Sequence, residues 1–308
     1  MPSYFLKRLG AAIPTLFIIV TLSFFITRWA PGGPFDEERA LPPEIMASLQ
    51  RAYGLDQPVW VQYTRYLRGV LHGDFGPSFR YKDFSVSELI VQGLPVTLEL
   101  GTLALALALV VGIPLGILAA LHRHSATDYV AISIAVLGIA VPPFVVLPLL
   151  GLVFGMALHW LPVAGWEPGS VRYLVLPVIA LSLPPLAYIA RLTRGGMLET
   201  LSSPYIRTAV AKGLPLRVIL ARHALRPALV PVAGYLAPAV ANIMTGSLVV
   251  ESLAGLPGVG RYLVQGALNR DYTLVLGMVI LYSSVLIGMG LLVDLLHAWL
   301  DPRVRFAQ

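Results

Sequence analysis

The chain contains no cysteine, and only 12% of its residues are charged. The absence of cysteine excludes a disulfide framework, a thiolate metal site and a cysteine nucleophile. Soluble domains carry about a quarter charged residues. Here 57% of the 308 residues are hydrophobic, and the mean hydropathy is +0.77. The composition therefore predicts a membrane protein.

Several catalytic and nucleotide-binding motifs are also missing from the sequence. There is no G-x-x-x-x-G-K-[ST] phosphate loop and no H-E-x-x-H zinc motif, and no Ser/His pairing indicates a protease. The segment "HRH" at 122–124 places its histidines two residues apart, on different faces of a helix, so it does not indicate a metal site. The sequence predicts a non-catalytic protein that itself binds no metal or nucleotide cofactor.

Long apolar runs, by contrast, are abundant. About 20 apolar residues span the ~30 Å hydrocarbon core of a bilayer. Six stretches meet this requirement, at roughly 9 to 29, 96 to 121, 129 to 156, 173 to 192, 228 to 250 and 273 to 299. We therefore predict an all-α membrane protein with six transmembrane helices and both termini on the same side.

Lysine and arginine in the short loops indicate the orientation, because loops rich in these residues stay in the cytoplasm. The loops on the side of the N-terminus hold twelve: Lys7, Arg8, Arg123, Arg191, Arg194, Arg207, Lys212, Arg217, Arg222, Arg226, Arg303 and Arg305. The short loops on the opposite side hold Arg172, Arg261 and Arg270. This bias predicts cytoplasmic termini, and it accounts for the formal net charge of +6 without a nucleic-acid partner.

Residues 30–95 form a long loop that is predicted to lie outside the cell. Helical periodicity is visible in "PPEIMASLQRAYG" and "PVWVQYTRYLRGVLHG", each of which opens at proline and closes at glycine. Aromatic rings favour the membrane surface, so Trp60, Tyr63 and Tyr66 suggest that the loop lies there. The loop is either a lid over the helix bundle or a docking surface for an external partner.

One basic stretch stands out in this apolar chain: "SSPYIRTAVAKGLPLRVILARHALRP" at residues 202–227, which we call the basic hairpin. Ser203 and Pro204 are typical of a helix start, and Gly213 is typical of a helix end. Pro215 lacks an amide hydrogen, so we predict a turn there and a second helix to about His223. Three interpretations remain open: a topology signal, a segment that binds lipid headgroups, or a knob that docks into a cytoplasmic protein.

Small side chains favour docking, because Ala209, Ala211 and Gly213 permit the close approach of another surface. The segments "RTAVAKG" at 207–213 and "RHALRPALVP" at 222–231 resemble the cytoplasmic coupling loop of permease subunits of ABC importers, in their peptide-transporting branch. The superfamily pattern is E-A-A, three residues, then G. Ala209 and Gly213 match it, whereas Thr208 replaces the first alanine and Arg207 replaces the acid, as in the peptide branch's own version.

This resemblance implies that residues 193–227 form the coupling loop and that a helix from about Pro204 to Lys212 sits in a groove of an ATPase subunit. ATP-driven closure of the ATPases would move the helix as a rigid body. The residues expected to carry the coupling are Tyr205, Ile206, Arg207, Thr208, Ala209, Lys212, Gly213 and Leu214.

The resemblance extends along essentially the whole chain. It includes "KRLGAAIPTLFIIVTLSFFITRWAPGGPF", "GLDQPVWVQYTRYLRGVLHGDFGPSFRYKDFSV", "VVESLAGLPGVGRYLVQGALNRDY" and "LLVDLLHAWLDPRVRF". Together these segments are similar to the first permease subunit of oligopeptide importers. They imply a single transmembrane permease domain over residues 1–308, with the MetI-like fold of type I importers, in the bacterial inner membrane.

The same resemblance implies a set of partners. These are a second, homologous permease subunit, two ATPase subunits that bind ATP and Mg²⁺, an external or lipid-anchored binding protein, and a peptide. A permease of the same family for dipeptides, nickel or glutathione is the alternative. An ion-coupled secondary transporter usually carries a mid-membrane acid or histidine, which this chain lacks. A purely structural subunit would not need the basic hairpin.

Polar residues in the fifth apolar stretch are the candidates for the translocation pathway. Asn242, Thr245, Ser247 and Glu251 are spaced so that much of the set is expected near one side of a helix. Hydrogen bonding between helices is the alternative role for such residues in a membrane.

Two proline pairs, Pro142-Pro143 and Pro184-Pro185, fall inside the third and fourth apolar stretches. Because proline lacks an amide hydrogen, we expect both pairs to interrupt their spans and kink the helices. Such kinks would either widen a cavity for a peptide or fit the packing of neighbouring helices.

Overall fold

The structure is a computed structural model that describes residues 2–29, 42–81, 83–126, 128, 129, 133 and 138–300. Helices joined by turns and irregular loops make up these residues, which contain one antiparallel bridge, between Pro77 and Ser85. The helices are α1 (Pro2–Trp29), α2 (Pro43–Ala52), α3 (Val59–Leu71), α4 (Val86–Leu121), α5 (Pro143–Leu150), α6 (Arg172–Leu201), α7 (Pro204–Ala211), α8 (Leu216–Val218), α9 (Leu225–Ala228), α10 (Val230–Ala254), α11 (Val259–Leu268) and α12 (Tyr272–Leu300). Two π-helical segments, Gly151–Ala157 and Ile219–Ala224, continue α5 and α8.

Five of these helices are long and apolar enough to cross a membrane: Gly10–Trp29, Val86–Leu121, Arg172–Leu201, Val230–Ala254 and Tyr272–Asp294. They fall on the first, second, fourth, fifth and sixth predicted spans. The third predicted span, 129–156, lies partly outside the described residues, and its described end belongs to the shorter apolar helix Pro143–Ala157. The prediction of an all-helical chain is confirmed.

The chain divides into two compact units. The first unit comprises Met1–Leu6, Leu98–Leu256 and Leu286–Gln308, and the second comprises Lys7–Thr97 and Pro257–Val285. The basic hairpin and the candidate pathway residues belong to the first unit. The described part of the predicted external loop belongs to the second unit, where α4 begins at Val86, inside the loop's predicted bounds.

Glycine lets α4 approach α6 closely inside the first unit. A β-carbon at Gly112 would lie 2.9 Å from the carbonyl oxygen of Leu186, and one at Gly116 would lie 2.4 Å from that of Ala190. Real β-carbons do not come so near, so only glycine fits at Gly116 without a shift of the helices. Small residues spaced by four positions allow such close packing in membrane helices.

The two proline pairs behave differently from each other. Pro142 and Pro143 interrupt the third predicted span, as expected: residues 138–140 are helical, Val141 and Pro142 are not, and α5 begins at Pro143. Pro184 and Pro185 lie within α6, which runs unbroken from Arg172 to Leu201. Both are buried, so neighbouring side chains enclose this part of the helix. The predicted interruption of the fourth span is therefore wrong.

Aromatic side chains hold the second unit together. Phe24 of α1, Tyr63 of α3 and Leu276 of α12 form a buried cluster, with Tyr66 packed against it. The two helices predicted in the external loop are confirmed as α2 and α3, and glycines with left-handed backbone follow both, at Gly54 and Gly73. Tyr63 and Tyr66 pack against Phe24 of α1, and the location of the loop on the membrane surface stays a prediction.

Asp271 anchors the loop before α4 to the start of α12. Its carboxylate is fully buried, and it accepts hydrogen bonds from the hydroxyl of Ser78 at 2.5 Å and the amides of Phe79 and Arg80 at 3.0 and 3.1 Å. The other oxygen accepts from the amide of Leu274 at 3.1 Å, which caps the first turn of α12. One carboxylate therefore satisfies donors that lie far apart in the sequence.

Candidate functional site: the basic hairpin and the exposed face of α10

The first arm of the basic hairpin is α7. Ser203 is its N-cap, as predicted, but the Ser203 hydroxyl donates to the carbonyl of Thr200 at 2.6 Å instead of capping the new helix. Gly213 has a φ of +74°, and its amide donates to Val210 at 2.9 Å, so the helix ends in a left-handed turn that favours glycine. The predicted helix end at Gly213 is confirmed.

The second arm of the basic hairpin begins after Pro215, where the turn was predicted. Pro215 is the N-cap of α8, which passes into the π-helical segment Ile219–Ala224 and then into α9. The arm therefore continues beyond His223, where the sequence predicted its end. A π-helical turn is rare and occurs often at functional sites.

Small apolar side chains fix the hairpin to the membrane-length helices. Ile206 and Ala209 of the first arm are buried in one cluster with Ile219 and Ala224 of the second. The same cluster contains two residues near the ends of long helices, Ala120 of α4 and Met197 of α6. A β-carbon at Gly196 would lie 2.3 Å from the carbonyl oxygen of Ala228, so α6 and the second arm are in backbone contact. A displacement of the hairpin would therefore exert a force on the ends of α4 and α6.

The outer surface of the hairpin is both apolar and cationic. Val210 is 59% exposed, Leu216 is 58% exposed and Tyr205 is 47% exposed. Arginine and lysine residues are exposed around them: Arg207, Lys212, Arg217, Arg222 and Arg226. Exposed apolar residues with a polar rim mark interaction sites on proteins.

The structure separates the eight predicted coupling residues into two groups. Ile206 and Ala209 point inward and join the hairpin to the rest of the unit. The exposed residues are Tyr205, Arg207, Thr208, Lys212, Gly213 and Leu214. The small size of Ala209 therefore serves packing within the chain, whereas the sequence suggested that it admits a partner.

An ion pair lies near the hairpin end of α6. Arg194 donates to the two carboxylate oxygens of Asp128, from Nε at 2.6 Å and from Nη2 at 2.8 Å, and the amide of His124 adds a bond at 3.0 Å. The hydrogen bond from Arg194 is the main cause that lowers the pKa of Asp128 from 3.8 to about 2. A bidentate pair of this kind fixes orientation as well as charge.

The four candidate pathway residues on α10 do not share a face. Asn242 and Thr245 are exposed, whereas Ser247 and Glu251 are buried inside the first unit. Ser247 donates to the carbonyl of Met244 at 2.8 Å, within its own helix. The prediction that most of the set lies near one side of the helix is wrong, because Ser247 and Glu251 point away from the exposed face.

The exposed face of α10 carries polar groups that sequence reasoning missed. The Tyr235 hydroxyl lies within hydrogen-bonding reach of the Asn242 side chain, and the Tyr235 ring stacks at 5.1 Å on Tyr188 of α6. The guanidinium of Arg191 lies 4.9 Å from the centre of the Tyr188 ring. These four residues form a continuous polar and aromatic ladder. Its sequence signal was the occurrence of tyrosines inside apolar helices.

Family models match nearly the full length of this chain. Residues 112–306 match the model of the binding-protein-dependent transport system inner membrane component. Residues 1–101 match the model of the N-terminal part of such membrane components. The chain belongs to this family. It is therefore an inner-membrane component of a bacterial transport system, and its apolar helices agree with that location.

Individual relatives of this transport component resemble it from end to end. The oligopeptide transport system permease protein OppB of Escherichia coli is 50% identical over 306 residues, which is 99% of this chain and 100% of the relative. OppB of Haemophilus influenzae is likewise 50% identical over 306 residues, with the same coverage. The dipeptide transport system permease protein DppB of Bacillus subtilis is 43% identical over 305 residues, which is 99% of this chain and 98% of the relative.

Proposed function

We propose that this chain is a permease subunit of an ATP-driven oligopeptide importer. The observation that carries the proposal is the 50% identity to oligopeptide permeases along the whole chain. The dipeptide permease is less similar, at 43%. Dipeptide transport is therefore the second candidate for the substrate.

The proposal includes six membrane spans with both termini in the cytoplasm. Five membrane-length helices support it, and residues 129–156 would supply the third span. The excess of lysine and arginine on the terminal side supports the orientation. In this arrangement the basic hairpin projects into the cytoplasm.

The proposed assembly contains two permease subunits, two ATPase subunits and an external binding protein that delivers the peptide. This chain would form half of the pathway. ATP and Mg²⁺ would be bound by the ATPases, because the sequence has no phosphate loop.

The two sides of the hairpin suggest how it transmits force. Its inner side is locked to α4 and α6 by buried apolar contacts and by the backbone contact at Gly196. Its outer side presents Tyr205, Val210 and Leu216 with cations around them. Tightly packed interiors move as bodies and do not deform continuously. An ATPase that grips the outer side would therefore move the ends of both helices.

The ladder on α6 and α10 is our candidate for the pathway wall. An exposed asparagine on a membrane-length helix is costly against lipid, since hydrocarbon offers it no hydrogen bond. A water-filled pathway or the second permease subunit would accommodate the exposed polar side chains of Asn242 and Thr245. Arg191, Tyr188 and Tyr235 extend the same surface. Ser247 and Glu251 are buried in this unit, so we assign them a gate or packing role and not contact with the peptide.

Uptake of a labelled pentapeptide tests the proposal. Cells that lack this chain should regain uptake only when the chain and intact co-encoded ATPases are restored together. A labelled dipeptide measured in parallel separates the two substrates, because an oligopeptide permease should prefer the pentapeptide. If neither peptide enters in a way that depends on the chain, the peptide assignment is wrong.

Substitutions at Val210 distinguish a loss of ATPase docking from a loss of folding. The Val210→Glu variant should reach the membrane in normal amount, because the side chain is exposed, but it should lose ATPase binding and uptake. Val210→Ile keeps an apolar side chain and should retain both. Gly213 is less suitable, because a larger residue would strain the left-handed turn itself. Normal uptake by Val210→Glu would refute the role of the outer surface.

A further inference from the structure

Helix α3 shows an apolar flank that nothing in the chain covers among the described residues. Tyr63 and Tyr66 face α1 and α12, whereas Trp60 is 67% exposed and Leu71 is 84% exposed. Thr64 is exposed between them. The positions 60, 64 and 71 lie on one side of a helix, since they are four and seven residues apart.

Helix α3 contacts α1 well inside the membrane-length part of α1. The Tyr63 hydroxyl and the Thr21 hydroxyl are hydrogen-bonded at 2.7 Å. Thr21 precedes the end of α1 at Trp29 by two turns, which corresponds to about 12 Å along the helix axis. Gly10–Trp29 is only just long enough to cross the hydrocarbon core, so a span that uses this whole segment puts Thr21 below the membrane surface at the Trp29 end.

The exposed side of α1 continues into the flank of α3 without a break. Exposed apolar residues follow one another along α1 at Ile18, Leu22 and Ile26. Nearer the Trp29 end of α1, the centre of the Phe25 ring lies 6.1 Å from the ring centre of Trp29 and 5.6 Å from that of Trp60. Tryptophan concentrates where lipid headgroups meet the acyl chains. The same kind of surface therefore extends from α1 to α3.

Cationic side chains lie on the exposed surface of α3 next to this flank. Arg65 and Arg68 are both exposed, and Arg65 donates to the side chain of Gln57 at 2.6 Å. An apolar flank beside a cationic one is typical of helices that lie in the membrane interface, where the apolar side sinks about 5 to 10 Å.

We propose that α3 lies in the lipid interface at the Trp29 end of α1, with Trp60 and Leu71 at the acyl-chain boundary and Arg65 at the headgroups. The occupant of the flank is lipid and not a docked protein, because the flank continues the apolar outer side of a membrane-length helix. The inference is independent of the transported substrate and of the orientation of the chain.

The natural absence of cysteine makes a direct test simple, since every introduced cysteine is the sole label site. We would label Leu71→Cys, Trp60→Cys and the control Arg65→Cys with a nitroxide. Leu22→Cys on α1 would provide the lipid reference. The labelled full chains, reconstituted in phospholipid vesicles with their accompanying subunits, would be compared by their accessibility to oxygen and to a water-soluble nickel complex.

Positions 71 and 60 should have a ratio of oxygen to nickel accessibility below that of the deeper position 22 but severalfold higher than that of position 65. Thermal unfolding of each variant near that of the unmodified chain would exclude misfolding. Strong nickel accessibility at 60 and 71 would place the flank in water and overturn the proposal. Protection from both reagents would also overturn it, since a protein would then cover the flank.

Discussion

The basic hairpin of the first unit and the loop around Asp271 in the second unit are attached in opposite ways. The hairpin buries small apolar side chains and keeps its charges outside. The loop at 78–80 is instead held by a buried carboxylate that accepts several hydrogen bonds. Apolar contact is non-directional, whereas a buried carboxylate stabilises only one arrangement of donors. The comparison teaches that apolar packing is enough to attach a helical hairpin, whereas an irregular loop needs hydrogen-bond partners for its backbone polar groups.

Removal of the Asp271 carboxylate should have the largest effect. Asp271→Ala removes the acceptor of the Phe79, Arg80 and Leu274 amides, of which the last is buried, so the free energy of unfolding should fall by about 3 kcal/mol. Asp271→Asn should also destabilise, because its amide group turns a donor toward one of the two sets of donors. Denaturant unfolding of the purified chain measures both changes.

The exposed Asp56 is the matched control for Asp271. Asp56→Ala should change the unfolding free energy by less than about 0.5 kcal/mol. Equal effects at the two positions would show that the loop is not held by Asp271.

Two adjacent glycines of α6 test whether shape holds the hairpin. Gly196→Ala places a methyl group 2.3 Å from the Ala228 carbonyl oxygen, so we expect a loss of about 1 to 3 kcal/mol and reduced peptide uptake. At Gly195 a β-carbon meets nothing within 4 Å, and Gly195→Ala should stabilise the helix by up to about 1 kcal/mol. Thermal unfolding and peptide uptake, measured for both variants, test whether the close contact at Gly196 holds the hairpin. Similar behaviour of the two variants would contradict a close contact at Gly196.

The Asp128–Arg194 pair should give the smallest effect, and one that depends on pH. The folded state lowers the pKa of Asp128 to about 2, so the unfolded state binds the proton more readily. The pair therefore contributes its full stability above pH 3.8 and loses it as the pH falls through about 2. Asp128→Asn should be less stable than the unmodified chain at pH 7, and the difference should shrink near pH 2. A difference that is constant over this range would exclude the ion pair as its source.

Much of the local structure follows from the sequence. Proline and glycine mark the ends of α2 and α7, and long apolar runs mark the membrane-length helices. These signals act over a few residues, so no distant partner is needed to interpret them. The α-helical pattern beyond His223 was not recognised, because a π-helical turn changes the spacing of the buried residues.

The division of the site residues could not be predicted in the same way. Ile206 and Val210 both have branched apolar side chains, yet Ile206 is buried and Val210 is exposed. The reason is the cluster that Ile206 joins, which includes Ala120 of α4, a residue far away in the sequence. Burial likewise separates Ser247 from Thr245 on one helix.

The sequence by itself determined that this protein is a helical membrane component with a basic hairpin. Hydrophobicity, proline geometry and charge bias are local properties, and they suffice for those conclusions. Only the tertiary structure decided which side of the hairpin faces outward, which polar residues of α10 are exposed and what Asp271 binds. Those choices depend on contacts between distant segments, such as the 193 residues that separate Ser78 from Asp271, and close packing selects among them.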